Sequence, residues 1–191
     1  MNRLSRLSLY VLAWGPAVLT GCSGGDDSTA VPRRRAYPRL WVEADTCGRA
    51  AELGGVEMRI NRAATFRHDS LRADWADIEY PAALGATFHL SLTCPGSLPE
   101  AVANRRQRMA LNLGDAPARS EEFHSGPWAC TLVFSDRAGL TTPVQILASN
   151  ADGRLLSGAV ALKAPGTDAD SIRPLLELLR DDARTLLLSL R

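Results

Sequence analysis

The residues with the most specific chemistry in the chain are Leu19-Thr20-Gly21-Cys22, which have the form of a lipobox. A signal peptidase of the lipoprotein class needs a small residue before the cleavage site and a cysteine thiol on which the lipid is built. Arg3 and Arg6 supply the positive start of a secretory signal, and a mostly apolar stretch leads from them to the tetrapeptide. The pattern predicts a signal peptide over residues 1–21 and acylation of Cys22.

A transmembrane anchor or a buried helix is the alternative interpretation of this N-terminal stretch. Its apolar run spans roughly 13 residues and is interrupted by Gly15-Pro16, whereas a helix that crosses a ~30 Å hydrocarbon core needs about 20 residues. Residues 22–35 are rich in Gly, Ser and Asp and offer little to bury, so we expect a flexible tether there. We expect a single domain over residues 36–191 to follow it.

The three histidines form no recognisable catalytic arrangement. His68 adjoins Asp69 in a polar segment, and His89 is predicted on the polar face of a strand. His124 is expected in a loop over residues 120–126, beside Glu121-Glu122. The chain has no G-x-S-x-G, H-E-x-x-H, P-loop or dinucleotide-binding glycine pattern, which are the motifs of the corresponding chemistries. We therefore expect no enzyme activity and no cofactor, although a Ser-His-acid or metal site assembled from distant residues stays open as the alternative.

Three cysteines remain once lipidation has taken Cys22. An exported protein can hold disulfides, and Cys94 and Cys130 each fall in a predicted strand. They are the candidate disulfide pair, which would leave Cys47 over; three free thiols are the alternative. A zinc site is disfavoured because the chain has neither a C-x₂₋₄-C nor an H-x₃₋₅-H spacing.

The charge balance limits the classes of partner. The chain carries 22 Lys+Arg and 21 Asp+Glu side chains, and cleavage after Gly21 removes Arg3 and Arg6, which leaves a net charge close to −1. Nucleic-acid-binding domains usually carry a strongly basic face. We therefore expect no nucleic-acid partner.

Alternation of apolar and polar residues predicts the strands of the first half. Short strands are expected over residues 39–44 and 56–60, and residues 61–80, which have no sustained period, are expected to form a loop. The clearest strand is Ala86 to Cys94. Its apolar face comprises Phe88, Leu90, Leu92 and Cys94, and its polar face comprises Thr87, His89, Ser91 and Thr93.

A helix is predicted in the middle of the chain, where Ser97-Leu98-Pro99-Glu100 has the form of a capping box. We expect it to run to about Leu113 and to stop at Gly114. Arg106 interrupts its inner stripe, so the helix should be only partly buried. The inner stripe consists of Val102, Met109 and Leu113.

Three strands with short turns and one long helix are predicted to complete the chain. The strands are Trp128–Phe134, Thr142–Ser149 and Leu155–Lys163, and their short connections predict an antiparallel meander. A leucine stripe predicts the closing helix, with Ser171 as its N-cap and Pro174 in its first turn. The expected fold is α+β: an antiparallel sheet of five or six strands with the mid-chain helix and the long C-terminal helix packed on it.

Two segments combine aromatic residues, proline and charge in a way that turn chemistry explains only in part. They are residues 33–40 and 75–81. A structural role, in which the prolines fix φ and the tyrosines cover a sheet edge, competes with a role in binding a partner. The candidate partner surface consists of Arg35, Tyr37, Arg39, Trp75 and Tyr80.

At these residues the chain resembles the gliding-motility lipoprotein GldD family of Bacteroidota. That family has a lipobox and a tether, followed by a P-x-P-R-[GA]-Y-x-R-[IL] segment and an aromatic segment that ends in Tyr-Pro. Two strands come later, one with a small residue followed by Pro-x-Gln and one with Gly-Ala. A Pro-x-x-x-x-Asp-Ser-[IL]-x-Pro segment then precedes the closing helix. The order and spacing hold over nearly the whole mature domain, but the segment between the helix that begins after Ser97 and Phe123 departs from the pattern, as in a diverged member. The matching residues are Pro32, Arg35, Ala36, Tyr37, Arg39, Leu40, Trp75, Ile78, Tyr80, Pro81, Thr142, Pro143, Gln145, Gly158, Ala159, Pro165, Asp170, Ser171, Ile172 and Pro174.

The resemblance implies a cell-envelope lipoprotein tied to gliding motility and the type IX secretion apparatus, without enzymatic activity or cofactor. We expect an anchor in the outer membrane that faces the periplasm rather than the cell surface, and action through protein–protein interaction with other envelope proteins. The element order is also similar to the Mog1/PsbP-like sandwich, an analogy of fold that transfers no function.

The competing hypothesis is a periplasmic small-ligand-binding or enzymatic domain on the same lipid anchor. It predicts a well-formed cavity of ~300 Å³ or more with converging polar groups. We expect such a cavity, if it exists, around His89 or His124.

Overall fold

The computed structural model of the chain describes residues 47–81, 85–163 and 169–191, which pack as one unit. The predicted signal peptide, the tether and the strand over 39–44 lie outside these residues. So do Cys22 and three residues of the candidate partner surface, Arg35, Tyr37 and Arg39.

The described residues form nine strands and two helices. In chain order these are β1 (Cys47–Leu53), β2 (Val56–Asn61), β3 (Thr65–His68), β4 (Trp75–Glu79), β5 (Ala86–Thr93), α1 (Leu98–Leu113), β6 (Arg119–Ser125), β7 (Trp128–Phe134), β8 (Val144–Asn150), β9 (Leu155–Leu162) and α2 (Ala169–Leu188).

Seven of the strands make one antiparallel sheet in the order β3-β4-β5-β9-β8-β7-β6, and β1 and β2 pair as a separate two-stranded sheet. The α+β class and both helices are confirmed, as is the β7-β8-β9 meander. The expected count of five or six strands was too low, because four strands that carry little apolar alternation were not recognised: β1, β3, β4 and β6.

The expected loop over residues 61–80 is wrong, since it contains β3 and β4. β4 alternates correctly, with Ala76 and Ile78 buried, but two apolar positions are too few to stand out. β3 lies at the edge of the sheet and buries neither face, so its sequence has no apolar period. The segment around His124, expected to be a loop, is the polar edge strand β6 for the same reason.

The hydrophobic core lies between one face of the seven-stranded sheet, α2 and β2; we call this the α2 face. α2 packs against β2, β6, β7 and β8 and buries its stripe there, at about 2 kcal/mol for each leucine. The helix begins at Ala169, two residues before the predicted cap Ser171, so that prediction is wrong and Pro174 lies inside the helix. The fully buried members of the stripe are Leu176, Leu179, Ala183, Leu186 and Leu187.

The opposite face of the sheet, the α1 face, is crossed by α1 and is far more polar. Met109 packs with Leu147 of β8 and Leu155 of β9 in a small second cluster. The predicted bounds of α1 are confirmed, and Gly114 ends the helix with a φ of 58°, in the left-handed region that glycine tolerates. The capping box is not formed, because the N-cap Ser97 makes no side-chain hydrogen bond to the first turn.

Neither helix in the described part of the chain combines the length and apolar character that a bilayer crossing requires.

Candidate functional site

α1 covers only part of the α1 face, and a groove opens on each of its flanks. The larger one, which we call the α1 groove, is a cavity of about 370 Å³. Its floor comes from β4, β5, β9 and β8, and its wall is α1. Its lining includes Trp75, His89, Ser91, Arg105, Arg108, Met109, Leu111, Asn112, Gln145, Ser157 and Ala159.

Strand register explains why these polar residues meet on one floor. Asp77, His89, Ala159 and Gln145 stand opposite one another on four neighbouring strands. Because side chains alternate between faces with a period of two, residues in one such row project to the same face. The neighbouring row contains Trp75, Ser91, Ser157 and Leu147.

The imidazole on the floor is oriented by a carboxylate. His89 Nδ1 lies 2.7 Å from Asp77 Oδ1, and both side chains are about half exposed. A carboxylate can only accept a hydrogen bond, so Nδ1 carries the proton and donates it. The other ring nitrogen, Nε2, is then an acceptor in the neutral ring and a donor in the charged one.

Two buried hydroxyl groups lie next to this pair on the floor. Ser91 Oγ and Ser157 Oγ are 2.9 Å apart, so within the described residues these hydroxyls hydrogen-bond to each other and not to His89. Asp77, His89 and Ser91 are therefore the residue types of a catalytic triad, but the hydrogen bond between nucleophile and base that defines one is not made.

A buried amide fixes the distance between α1 and the floor. The side chain of Gln145 is buried; its Nε2 donates to the carbonyl oxygen of Met109 at 3.1 Å, and its Oε1 accepts from Asn112 Nδ2 at 2.9 Å. Both partners are on α1, so one glutamine of β8 joins two successive turns at the end of the helix. This attachment keeps the wall of the α1 groove in place.

Arg105 and Arg108 make the wall positive. Both line the groove, and burial together with the charge of Arg108 lowers the pKa of Arg105 below that of a free guanidinium. Arginine nevertheless stays charged in proteins. The opposite flank of α1 differs, because Arg106 there donates to Glu122 Oε1 at 2.9 Å.

The outer rim of the groove is apolar. Trp75 is 38% exposed, with the Arg72 guanidinium 4.6 Å from its ring centroid, and Leu111 on α1 is 72% exposed. Both residues therefore place apolar surface at the mouth of the cavity that the arginines line.

The second groove, on the other flank of α1, is a cavity of about 170 Å³. It is lined by His124 and by the Arg106–Glu122 pair. It is well below the ~300 Å³ at which ligand sites begin, and its arginine is already paired. Of the two histidines named as centres of a cavity, only His89 lies in one of the expected size.

The candidate partner surface is corrected at one residue. Tyr80 is only 7% exposed and belongs to the core cluster, so it is a core residue and not part of a surface. Trp75 is on the surface and lines the α1 groove. The remaining members, Arg35, Tyr37 and Arg39, are outside the described residues. His68 stacks edge-on against Phe66 on the exposed strand β3.

The predicted pair of Cys94 and Cys130 is not joined. Both thiols are free, with Cys94 exposed beyond the end of β5 and Cys130 buried in β7. Three strand spacings of ~4.8 Å separate β5 from β7, whereas a disulfide needs Cα atoms within about 7 Å. Burial raises the pKa of the Cys130 thiol to about 11.

The sequence analysis did not single out Arg105, Arg108 and Asn112 of the groove, nor Asp77, the partner of His89. Asp77 falls in the segment expected to form a loop, and no motif marks the two arginines of α1. The one usable signal was the polar face of β5, which already placed His89 and Ser91 together. Among the described residues, no group of three or more His, Cys, Asp and Glu side chains is arranged to hold a metal ion.

Comparison with known proteins identifies no relative, since neither a family model nor a curated protein matches the chain. Membership of the GldD family stays a prediction from the motifs quoted above.

Proposed function

We propose that the chain is a lipid-anchored cell-envelope protein that acts by binding a small ligand in the α1 groove. The observation that carries this proposal is the groove itself. A cavity of about 370 Å³ brings together an imidazole, two guanidinium groups, an amide and a half-exposed indole. Cavities of this size with apolar walls and a few converging polar groups are typical ligand sites.

The envelope location is supported by the sequence alone. The lipobox Leu19-Thr20-Gly21-Cys22 provides the lipid attachment, and the resemblance to the GldD family suggests the motility and type IX secretion machinery as the setting. A lipid on Cys22 would keep the binding domain near the membrane and raise its effective concentration there.

Binding is favoured over catalysis by the chemistry of the floor. The Ser91 and Ser157 hydroxyls bond each other, and the floor consists of sheet strands with neighbours on both sides. Their backbone N–H groups serve the sheet ladder, so the described floor lacks the free backbone donors that would stabilise an oxyanion.

The experiment is native mass spectrometry of the full-length protein isolated from membranes in a mild detergent. A159F places a ring in the groove, opposite His89 and Gln145. A161F is its matched control, because Ala161 is two residues along the same strand and on the same face but does not line the groove. We expect a bound small molecule on the unmodified protein and on A161F, and its loss in A159F.

The proposal fails if A159F keeps the same bound molecule as A161F, or if all three proteins carry no ligand. Thermal melting of each variant by circular dichroism shows whether the fold is kept, since a loss of ligand counts only at unchanged fold.

A second candidate function is interaction with a protein of the motility or secretion machinery. It is favoured by the β3–β4 turn, where Leu71 is 92% exposed and Trp75, four residues later, is 38% exposed. In affinity isolation of the acylated protein, W75A should then lose a partner that A159F retains; recovery of one identical set of partners by both variants would contradict it.

A further inference from the structure

Arg105 and Arg108 stand one turn apart on α1 and both line the α1 groove. Within the described residues neither makes an ion pair with a carboxylate. Arg106, on the opposite flank, is paired with Glu122 at 2.9 Å. Of the three arginines of α1, the two without an ion pair in the described residues are therefore those that line the larger cavity.

The arrangement places like charges together without local compensation. The pKa of Arg105 is lowered by its burial and by the charge of Arg108; each cause makes the charged form less favourable. The acidic residue of the row described above, Asp77, already accepts a hydrogen bond from His89 at 2.7 Å. The attraction of an anion bound between the two arginines would offset both effects, and the anion could accept hydrogen bonds from their planar donors in a bidentate manner.

Apolar side chains continue the site beyond the arginines. Leu111 is 72% exposed and Trp75 is 38% exposed, and both line the same cavity as the arginines. An apolar part of a ligand would remove the apolar surface of these two side chains from water, which is favourable. The volume, about 370 Å³, lies at the low end of the range of ligand pockets, ~300–1,000 Å³, and so fits a small molecule.

We propose that the α1 groove binds a small organic anion, a carboxylate or phosphate carried on an apolar group. Arg105 and Arg108 bind the acid group, and Trp75 and Leu111 contact the apolar part. This inference rests on the proposed function of the groove as a ligand site, and it adds the chemical class of the ligand.

The test is isothermal titration calorimetry of the full-length chain with four probes: hexyl phosphate, hexanoate, inorganic phosphate and hexanol. We expect hexyl phosphate or hexanoate to bind about tenfold or more tightly than hexanol, which has the tail without the charge. The double variant R105Q/R108Q should weaken that binding about tenfold or more. R106Q is the matched control, because it removes a charge from the same helix on the other flank, and it should bind as the unmodified protein does.

Arg108 is exposed and Arg105 is partly buried, so circular dichroism melting of each variant checks that the fold is kept. R108E provides a second variant, in which the reversed charge should weaken binding further than R108Q. Binding of hexyl phosphate should also fall as salt rises from about 0.05 M to about 0.5 M, because screening weakens the contact between exposed charges.

Three results would overturn the anion site: hexanol binding as tightly as the anions, R105Q/R108Q binding like R106Q, or the absence of binding by every probe. Binding only to phosphatidylglycerol vesicles and to none of the soluble anions would also overturn it, in favour of a lipid surface. A neutral molecule that native mass spectrometry finds on the unmodified protein and not on A159F would support the proposed ligand-binding function. It would also contradict the inference that the ligand is an anion.

Discussion

His89 Nδ1 lies 2.7 Å from Asp77 Oδ1, across the directly opposed positions of β5 and β4. The carboxylate thereby selects which ring nitrogen carries the proton. It leaves Nε2 as the nitrogen with which His89 can contact a ligand in the α1 groove.

Removal of the Asp77 carboxylate should change the tautomer of the His89 ring but not the fold. In D77A the neutral His89 ring is expected to become a mixture of tautomers, whereas the unmodified protein should hold the proton on Nδ1. Because both side chains are about half exposed, the loss of the pair should change the free energy of unfolding by less than about 1 kcal/mol. ¹⁵N NMR of the imidazole reports the tautomer, and urea unfolding reports the stability. An Nε2-protonated ring in the unmodified protein would contradict this assignment.

Gln145 should be needed to hold α1 against the sheet. Q145A leaves the Met109 carbonyl and the Asn112 amide without their partner and opens a space under the helix. An unsatisfied buried polar group costs about 1–3 kcal/mol, so we expect a melting temperature lower by several degrees. N112A, which removes the same hydrogen bond from the exposed side, is the control and should cost less. Equal melting temperatures for Q145A and the unmodified protein would show that Gln145 does not hold the helix.

The parts of the fold that could be predicted from the sequence are those with a strong apolar period. β5, β7, β9 and α2 each bury one face or stripe more deeply than the other, and their sequences keep the corresponding apolar period, whereas β8 is buried along nearly its whole length. β3 and β6 are at the edges of the sheet and bury little. They are strands because they pair with β4 and β7, and their sequences therefore show no regular alternation of apolar and polar residues. The fold class could therefore be predicted from the sequence, whereas the number of strands could not.

The site was less predictable because it depends on register between distant segments. Asp77 and His89 are twelve residues apart and meet only through the β4–β5 pairing. Gln145 reaches α1 across a gap of more than thirty residues. At Tyr80 a surface residue was predicted where the structure has a core residue. Its aromatic and proline neighbours suggested a binding surface, but its side chain packs in the core.

Tyr80 and Trp75 should respond differently to truncation. Y80A removes a side chain that is 7% exposed and leaves a cavity in the core, for which about 3–5 kcal/mol of stability is the usual loss for a large aromatic residue. W75A removes a side chain that is 38% exposed at the rim of the groove and should cost far less. Urea unfolding of the two variants checks this, and similar losses would mean that Tyr80 is not the core residue assigned here.

The two described free thiols should differ in reactivity. Burial raises the pKa of the Cys130 thiol to about 11, so at pH 8 only about one thiol in a thousand is the reactive thiolate. Raising the pH toward 11 increases that fraction tenfold per unit. Cys94 is exposed and should be alkylated by iodoacetamide much sooner at pH 8. Peptide mass mapping against time distinguishes the sites, and equal rates in the folded protein would contradict the burial of Cys130.

The most direct test of the central claim, that the α1 groove is the binding site, is photo-crosslinking in living cells from two positions on α1. Leu111 and Gln107 are both exposed on this helix, but only Leu111 lines the groove. A photoreactive residue in place of Leu111 should add the mass of a small molecule to the protein, and A159F in the same chain should abolish that addition; the same residue in place of Gln107 should add nothing. Equal additions from both positions, or an addition at 111 that A159F leaves unchanged, would contradict the assignment of the groove.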